Sequence, residues 1–374
     1  MSKRKIRVGV IFGGKSGEHE VSLTSARNVM AAMDSQKYEI VPIGVNKAGL
    51  WLSGPNILAQ LTEVAKMPPR LAAQAAPPAA SPVSFSGGSL APQGEAVGRL
   101  DVIFPVLHGP MGEDGTVQGL LELAGIPYVG CGVTGSATAM DKAIAKSIFQ
   151  AHGIPIVPHQ VVLRRTWQAS QEAVLDQLET ALTYPMFAKP ANMGSSVGVT
   201  KAKNRKQLQA GLNEAARFDR KLIVEQGVEA REIEVSVLGN DQPQASVPGE
   251  VIPSREFYSY AAKYIDDESD LLIPAPLTSA QTGQIQDMAV AAFLALDCAG
   301  LARVDFLMDK NTDAIYLNEV NTMPGFTTIS MYPKLWEASG LSYSALIDRL
   351  IELALERHED KQQTSSSFDV THAE

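Results

Sequence analysis

The apolar positions of this chain fall into short runs of two kinds. Ile6 to Phe12 is nearly continuous, broken only by Arg7 and Gly9, and ends on Gly13-Gly14. That is the pattern of a parallel strand covered on both faces. Ser22 to Met33 carries helix formers with few breakers, and Glu39 to Val45 returns to strand character. Strand, glycine turn, helix, strand predicts a βαβ unit of a doubly wound sheet. Leu100 to Leu107 is a further buried strand, running into His108-Gly109-Pro110.

The remaining pattern predicts a helix over Thr138 to Ala151, followed by Pro155 and Pro158 at a domain crossing. Strands follow at Met186 to Lys189 and Lys221 to Glu225, with a Gly194-Ser195-Ser196-Val197-Gly198 loop and an Asn204 to Ala216 helix between them. Ile233 to Leu238 and Ala245 to Ile252 read as strands, Pro253 to Pro274 as a mobile polar and aromatic loop, and Ser279 to Leu296 as a helix. Ala299 to Met308 and Ala314 to Asn321 read as a hairpin, and Leu341 to Arg357 as the last helix. Met67 to Gln93 is rich in Ala, Pro, Ser and Gly and reads as an irregular insertion without chemistry.

Composition narrows the class. A chain of 374 residues is long enough for two or three cores. Its net charge of -9 disfavours nucleic acid as a partner. Two cysteines make no disulfide framework, so a reduced cytoplasm is expected. No apolar stretch reaches the roughly 18 residues of a membrane span, and the first apolar run reads as a strand, not a signal peptide.

Gly9 to Ser16 satisfies the phosphate-loop pattern G-x-x-x-x-G-K-[ST]. Gly9 lies inside the predicted strand, however, so too little backbone is left to wrap a phosphate. The match reads as chance overlap, and Gly13-Gly14 as a tight turn at the sheet edge.

The strongest chemistry is on the last hairpin. Arg303 and Asp305 project to one face, as do Glu319 and Asn321. Pairing about Asn311-Thr312-Asp313 sets Asp305 opposite Glu319 and Arg303 opposite Asn321. Three oxygen donors and a guanidinium then share a surface suited to Mg²⁺. The competing reading, surface ion pairs, fits poorly with strands otherwise apolar. Lys142 and Lys189 are candidate phosphate contacts, and the Gly194–Gly198 loop a candidate cover for phosphates. Glu225, Glu232 and Glu234 fit equally an amphipathic strand or carboxylates meeting adenine and ribose. A lone His such as His108 is more often structural than catalytic.

Taken together, several segments resemble the ATP-grasp superfamily, and within it the D-alanine–D-alanine ligases. They are Gly13 to Ser22, His108-Gly109 with Gly112-Glu113-Asp114-Gly115, and Met140-Asp141-Lys142. Lys189-Pro190 with Gly194 to Gly198, Ala262-Lys263-Tyr264, Arg303-Val304-Asp305 and Asn318 to Gly325 complete the set. The resemblance covers nearly the whole chain apart from the insertion and the tail. It implies an α/β three-domain ATP-grasp fold with an N-terminal doubly wound parallel sheet. The domains would be 1–135 (with 66–99 as insertion), 136–228 and 229–358, before a polar tail at 359–374.

The activity implied is ATP-dependent joining of two D-alanines through an acyl phosphate, for cell-wall precursor synthesis. By resemblance Lys142, Lys189, Ser196, Glu225, Glu232 and Asn318 bind ATP. Asp305, Glu319 and Asn321 hold two Mg²⁺ ions, with Mn²⁺ as a substitute. Glu18, Ser195 and Tyr264 form a hydrogen-bonded link over the first D-alanine, with His108 close by. Lys263, Ser330 and Met331 contact substrate, Ser330 at the second carboxylate. Arg303 and the Gly325 N–H stabilise the oxyanion. A homodimer is also implied. A D-alanine–D-lactate ligase, another carboxylate–amine ligase and a non-catalytic nucleotide scaffold are the alternatives. Retention of Tyr264 points to the dipeptide.

Overall fold

The computed structural model describes residues 4–54, 56–67, 81–86, 89–92, 99–252 and 270–365. Lys263 and Tyr264, and most of the expected Pro253–Pro274 loop, lie outside the described residues.

The first sheet contains β1 (Ile6–Gly13), β2 (Tyr38–Val45), β3 (Trp51–Ser53), β4 (Ser81–Ser86), β5 (Ser89–Pro92) and β6 (Val102–Val106). They are ordered β5-β4-β3-β2-β1-β6. β1 runs parallel to both β2 and β6, as the buried pattern requires, and β3 to β5 extend the sheet antiparallel. The two faces of β1 separate by alternation. Val8, Val10 and Phe12 join a core with the helices His19–Ala32 and Tyr343–Gln362, whereas Ile11 joins another with the helix Thr116–Leu123.

Part of the expected irregular insertion is therefore strand. Val83 and Phe85 alternate with Ser in β4, and β4 pairs with β5 from Val83–Pro92 to Ser86–Ser89. The Ala/Pro-rich composition around them concealed a period-two segment.

The second sheet is antiparallel and holds β7 (His159–Leu163), β8 (Met186–Pro190), β9 (Thr200–Ala202) and β10 (Lys221–Gln226), ordered β7-β10-β8-β9. Helices Gln171–Ala181 and Arg205–Phe218 cover it through Leu175, Leu178, Leu208 and Leu212.

The third sheet holds β11 (Ala230–Gly239), β12 (Gln244–Ala245), β13 (Gly249–Ile252), β14 (Asp270–Leu272), β15 (Gly300–Asp309) and β16 (Ile315–Asn321). Its order is β14-β13-β11-β15-β16, with β12 also on β11. The expected Ala245–Ile252 strand is thus split, and Pro248, which has no N–H for a ladder, lies in the break. Ile233, Val235, Val237, Ala302, Val304 and Phe306 point to a core with Phe149, Ile285 and Phe293. The alternate positions, Glu234, Ser236, Arg303 and Asp305, are left on the opposite face.

The helix expected over Thr138–Ala151 is two helices, Val133–Met140 and Lys142–Ala151. They break at Asp141, which is extended (φ -84, ψ 96) and accepts from the N–H groups of Ala143 and Ile144. An Asp at this point caps the second helix instead of continuing the first. The break sets Lys142 at the start of a helix that packs on the third sheet. Among the described residues, no helix is long and apolar enough to cross a membrane.

Candidate active site

A cavity of about 830 Å³ lies where the three sheets meet. The first sheet contributes Glu18, at the entry of the helix His19–Ala32, and His108, just after β6. Both are buried. The turn that presents Glu18 needs glycine: Gly13 has φ +96, and a Cβ there would lie 2.1 Å from the Val45 carbonyl oxygen. Lys15, the lysine of the apparent phosphate loop, is exposed and lies against Gly49 instead.

Ser195 reaches Glu18 from the loop after β8, its hydroxyl donating to Glu18 Oε1. Ser195 and Ser196 both have left-handed backbone, φ 49 and 58, a cost that only a closely fitted loop sustains. Gly194 passes so near the first sheet that a Cβ would be 3.4 Å from both Glu18 Oε2 and Glu113 Oε1. In the sequence Glu113 stands out only within Gly112-Glu113-Asp114-Gly115. It is buried and accepts from Gly109 N–H at 2.9 Å. Burial and the nearby Glu18 charge push its carboxyl up to about 8.

Lys142 donates to the Met193 carbonyl at 3.0 Å and pairs with Glu319 at 3.2 Å. Burial disfavours its charge, but Glu319 outweighs this and raises its pKa. Asp305 faces Glu319 and Arg303 faces Asn321 across β15 and β16, the expected pairing. It depends on an irregularity absent from the sequence reading. Phe306 opposes Leu317 and Asp305 opposes Glu319, so Asn318 is an extra residue on β16. Without that bulge Asn318 would face Asp305, and Glu319 would turn to the core side.

Arg303 is gripped by acids. Its Nε and Nη2 donate to the two oxygens of Asp305, each at 2.7 Å, and Glu234 lies 3.0 Å from Nε. Burial lowers its pKa, but Asp305 and Glu234 more than reverse this, so it stays charged. Gly325, Ser330 and Met331 line the far wall. A Cβ on Gly325 would lie 2.8 Å from Ser330 Oγ, which accepts from Thr327 N–H at 3.0 Å. His108 is held by the Met323 carbonyl at 3.0 Å, and burial lowers its pKa, so the ring is neutral at pH 7.

Lys189 and Glu225 form a separate buried group. Lys189 donates to Glu225 Oε2, and Lys146, which the sequence reading passed over, lies 3.1 Å from Oε1. Burial pushes the Glu225 carboxyl up, but the two ammonium groups outweigh it and hold it at about 2. Lys146 also donates to the Asn318 carbonyl at 3.4 Å, tying this group to the bulge. The signal for Lys146 was its place one turn after Lys142 on the same helix face. Glu232 shares the β11 face of Glu234 but opposes Leu307 and is not among the residues lining the cavity.

The oxygen donors fit a hard divalent cation. Glu18, Glu113, Glu234 and Glu319 stand against Lys142, Arg303 and Lys334 around one space, and Asp305 lies behind it, paired with Arg303. Among the described residues no three His, Cys, Asp or Glu side chains gather as a metal site. Two carboxylates and an amide suit Mg²⁺, which completes its shell with phosphate oxygens and water.

Lys189 and the Ser195 loop from the second sheet, Lys142 and the carboxylates from the third-sheet side, and Glu18 from the first sit on the fold of an ATP-grasp ligase. Residues 7–131 match the family model described as D-ala D-ala ligase N-terminus, and residues 148–352 the one described as D-ala D-ala ligase C-terminus. The chain belongs to the D-alanine–D-alanine ligase family. It is 51% identical over 362 residues to the D-alanine–D-alanine ligase of Heliobacterium modesticaldum, covering 97% of this chain and 98% of that one. The solved D-alanine–D-alanine ligase from Coxiella burnetii superposes with a TM-score of 0.81 at 37% identity, over 96% of this chain and 97% of that one. The VanG D-Ala:D-Ser ligase from Enterococcus faecalis gives 0.82 at 35% identity, over 94% and 100%.

Proposed function

We propose that this protein joins two D-alanines to D-alanyl-D-alanine at the expense of ATP. The observation that carries this is the Ser195–Glu18 hydrogen bond, which closes the loop after β8 over the cavity holding Lys142, Glu319 and Arg303. A buried carboxylate there suits the ammonium of a small amino acid, and the lysines suit phosphates.

The first D-alanine binds through its ammonium at Glu18, with neutral His108 beside it. Its carboxylate attacks the γ-phosphate, giving an acyl phosphate and ADP, while Lys142 and Lys189 offset charge on the transferring group. Mg²⁺ held by Asp305, Glu319 and Asn321 supplies further charge neutralisation when bound. The amine of the second D-alanine, its carboxylate at Ser330 and Met331, then attacks the carbonyl and phosphate leaves. Arg303 and Gly325 N–H meet the oxyanion. Asp305 and Glu234 fix the plane of the guanidinium beforehand. Glu225 and Glu232 hold adenine and ribose, with Ser196 and Asn318 completing the nucleotide contacts. Tyr264 joins Ser195 and Glu18, and Lys263 meets substrate; both assignments are supported by the motif resemblance.

Two Mg²⁺ ions, replaceable by Mn²⁺, a homodimeric assembly, a cytoplasmic location and the division at 135 and 228 belong to the same proposal. The deciding experiment is phosphate release from ATP and Mg²⁺ with D-alanine, L-alanine or no amino acid, with D-serine and D-lactate as competing acceptors and mass spectrometry of the product. Release with D-alanine and a D-Ala-D-Ala product is expected. A mixed product as the main species transfers the reading to the D-serine or D-lactate ligases. ATP binding without D-alanine-dependent release leaves a nucleotide scaffold.

A further inference from the structure

The group around Glu225 holds one more cation than its charge requires. Glu225 is 3% exposed, and both its oxygens face lysines, Lys146 at Oε1 and Lys189 at Oε2. The two lysines differ in freedom. Lys146 is 1% exposed and is tied down a second time by the Asn318 carbonyl. Lys189, at the end of β8, keeps 14% of its side chain exposed and is the one free to turn outward. We propose that Lys146 is a positioning residue that keeps Glu225 neutralised when Lys189 turns from that carboxylate to the phosphates of a bound nucleotide. This rests on the nucleotide reading above and adds a role to a residue which that reading leaves unused.

The physical reason is the cost of a lone buried charge. With Lys189 as its only partner, Glu225 would retain that lysine, because releasing it would strand a carboxylate out of water. With Lys146 in place the carboxylate stays paired, and Lys189 is handed over at little cost. Lys146 itself meets Glu225 and the Asn318 carbonyl, both assigned above to the nucleotide, so a comparison with a phosphate-free ligand is needed to isolate its effect through Lys189.

The test compares ADP with adenosine, since only ADP can draw Lys189 to phosphate. Binding of each is measured by calorimetry in Mg²⁺ to the full chain, with melting curves as a check on folding. Lys146→Met is expected to reduce the ADP-over-adenosine affinity ratio by about tenfold or more. Adding Glu225→Gln is expected to restore the ratio, because an amide no longer retains Lys189. A ratio within about twofold of the parent in folded Lys146→Met overturns the proposal. Where Lys146→Met folds only together with Glu225→Gln, the double variant is compared with Glu225→Gln alone. Equal ratios support the hand-over, and a lower one shows that Lys146 meets the nucleotide directly and overturns it. Failure of the parent protein to bind ADP removes the nucleotide reading, and this inference with it.

Discussion

Glu113 shows how burial writes a pH dependence into the site. Its carboxyl is pushed from 4.5 up to about 8 by burial first and by Glu18 second. A carboxyl raised in the folded state binds more protons folded than unfolded between those values. The stability it contributes is present below pH 4.5 and is lost as pH rises towards 8, by at most about 1.4 kcal/mol per unit. Melting temperatures without nucleotide and with a chelator will therefore fall more steeply from pH 5 to pH 8 in the parent than in Glu113→Gln. Subtracting the two curves removes the buried His19 and His108, whose lowered pKa values act in the opposite sense. Parallel curves would show that Glu113 is ionised throughout. None of this was visible in the sequence, where Glu113 is one polar residue in a loop. Arg303 with Asp305, and Glu319 with Asn321, were legible as pairs because strand period fixes which face each pair shares, but that the two pairs share one face depends on the Asn318 bulge.

At the scale of elements, the first turn separates pattern from structure. Gly9 to Ser16 has the letters of a phosphate loop, yet Gly9 is paired with Val41 and Ile103 inside the sheet. Lys15 leans on Gly49, where a Cβ would meet its Cε at 2.3 Å. Lys15→Ala should leave the KM for ATP within about twofold of the parent, whereas a phosphate-loop lysine would cost far more. Gly13→Ala should instead lower the melting temperature, because φ +96 and the Val45 carbonyl exclude a side chain. A large rise in KM for Lys15→Ala would return phosphate binding to this loop. Strands with strong apolar runs, β1, β2, β6 and β15, were read within a residue or two of their ends. The Asn318 bulge was not, since a one-residue irregularity leaves no mark on composition. The segment from β7 through the helix Gln171–Ala181 was also missed, its weak alternation lying beyond the two prolines taken as a crossing.

The whole molecule is joined by a core that its sequence order hides. The last helix, Tyr343–Gln362, returns about 240 residues after β6 to pack Leu346, Leu350 and Leu353 with Val102 and Phe104 of the first sheet and Trp336 of the third-sheet side. Phe326 sits edge-on to Phe104, centroids 6.0 Å apart, and 5.4 Å from Tyr332. Arg357 on the same helix donates to the Tyr128 carbonyl at 3.0 Å and to that of Gly130. Amphipathic spacing announced the helix but could not name its partner, because periodicity carries no long-range address. The second sheet, by contrast, has its own core around Trp167, Leu175, Leu208 and Leu222. The walls bearing Glu18 and Arg303 are thus braced by one shared core, while the wall bearing Ser195 stands on another. That division predicts separable stabilities. Leu350→Ala, at a fully buried position, should cost about 2–5 kcal/mol. In a protein keeping only Trp336, this substitution should shift the urea midpoint downward. In one keeping only Trp167, the midpoint should stay in place. Equal shifts at both tryptophans would mean that the three sheets unfold as one unit, and that the gate loop cannot loosen independently of the walls it closes upon.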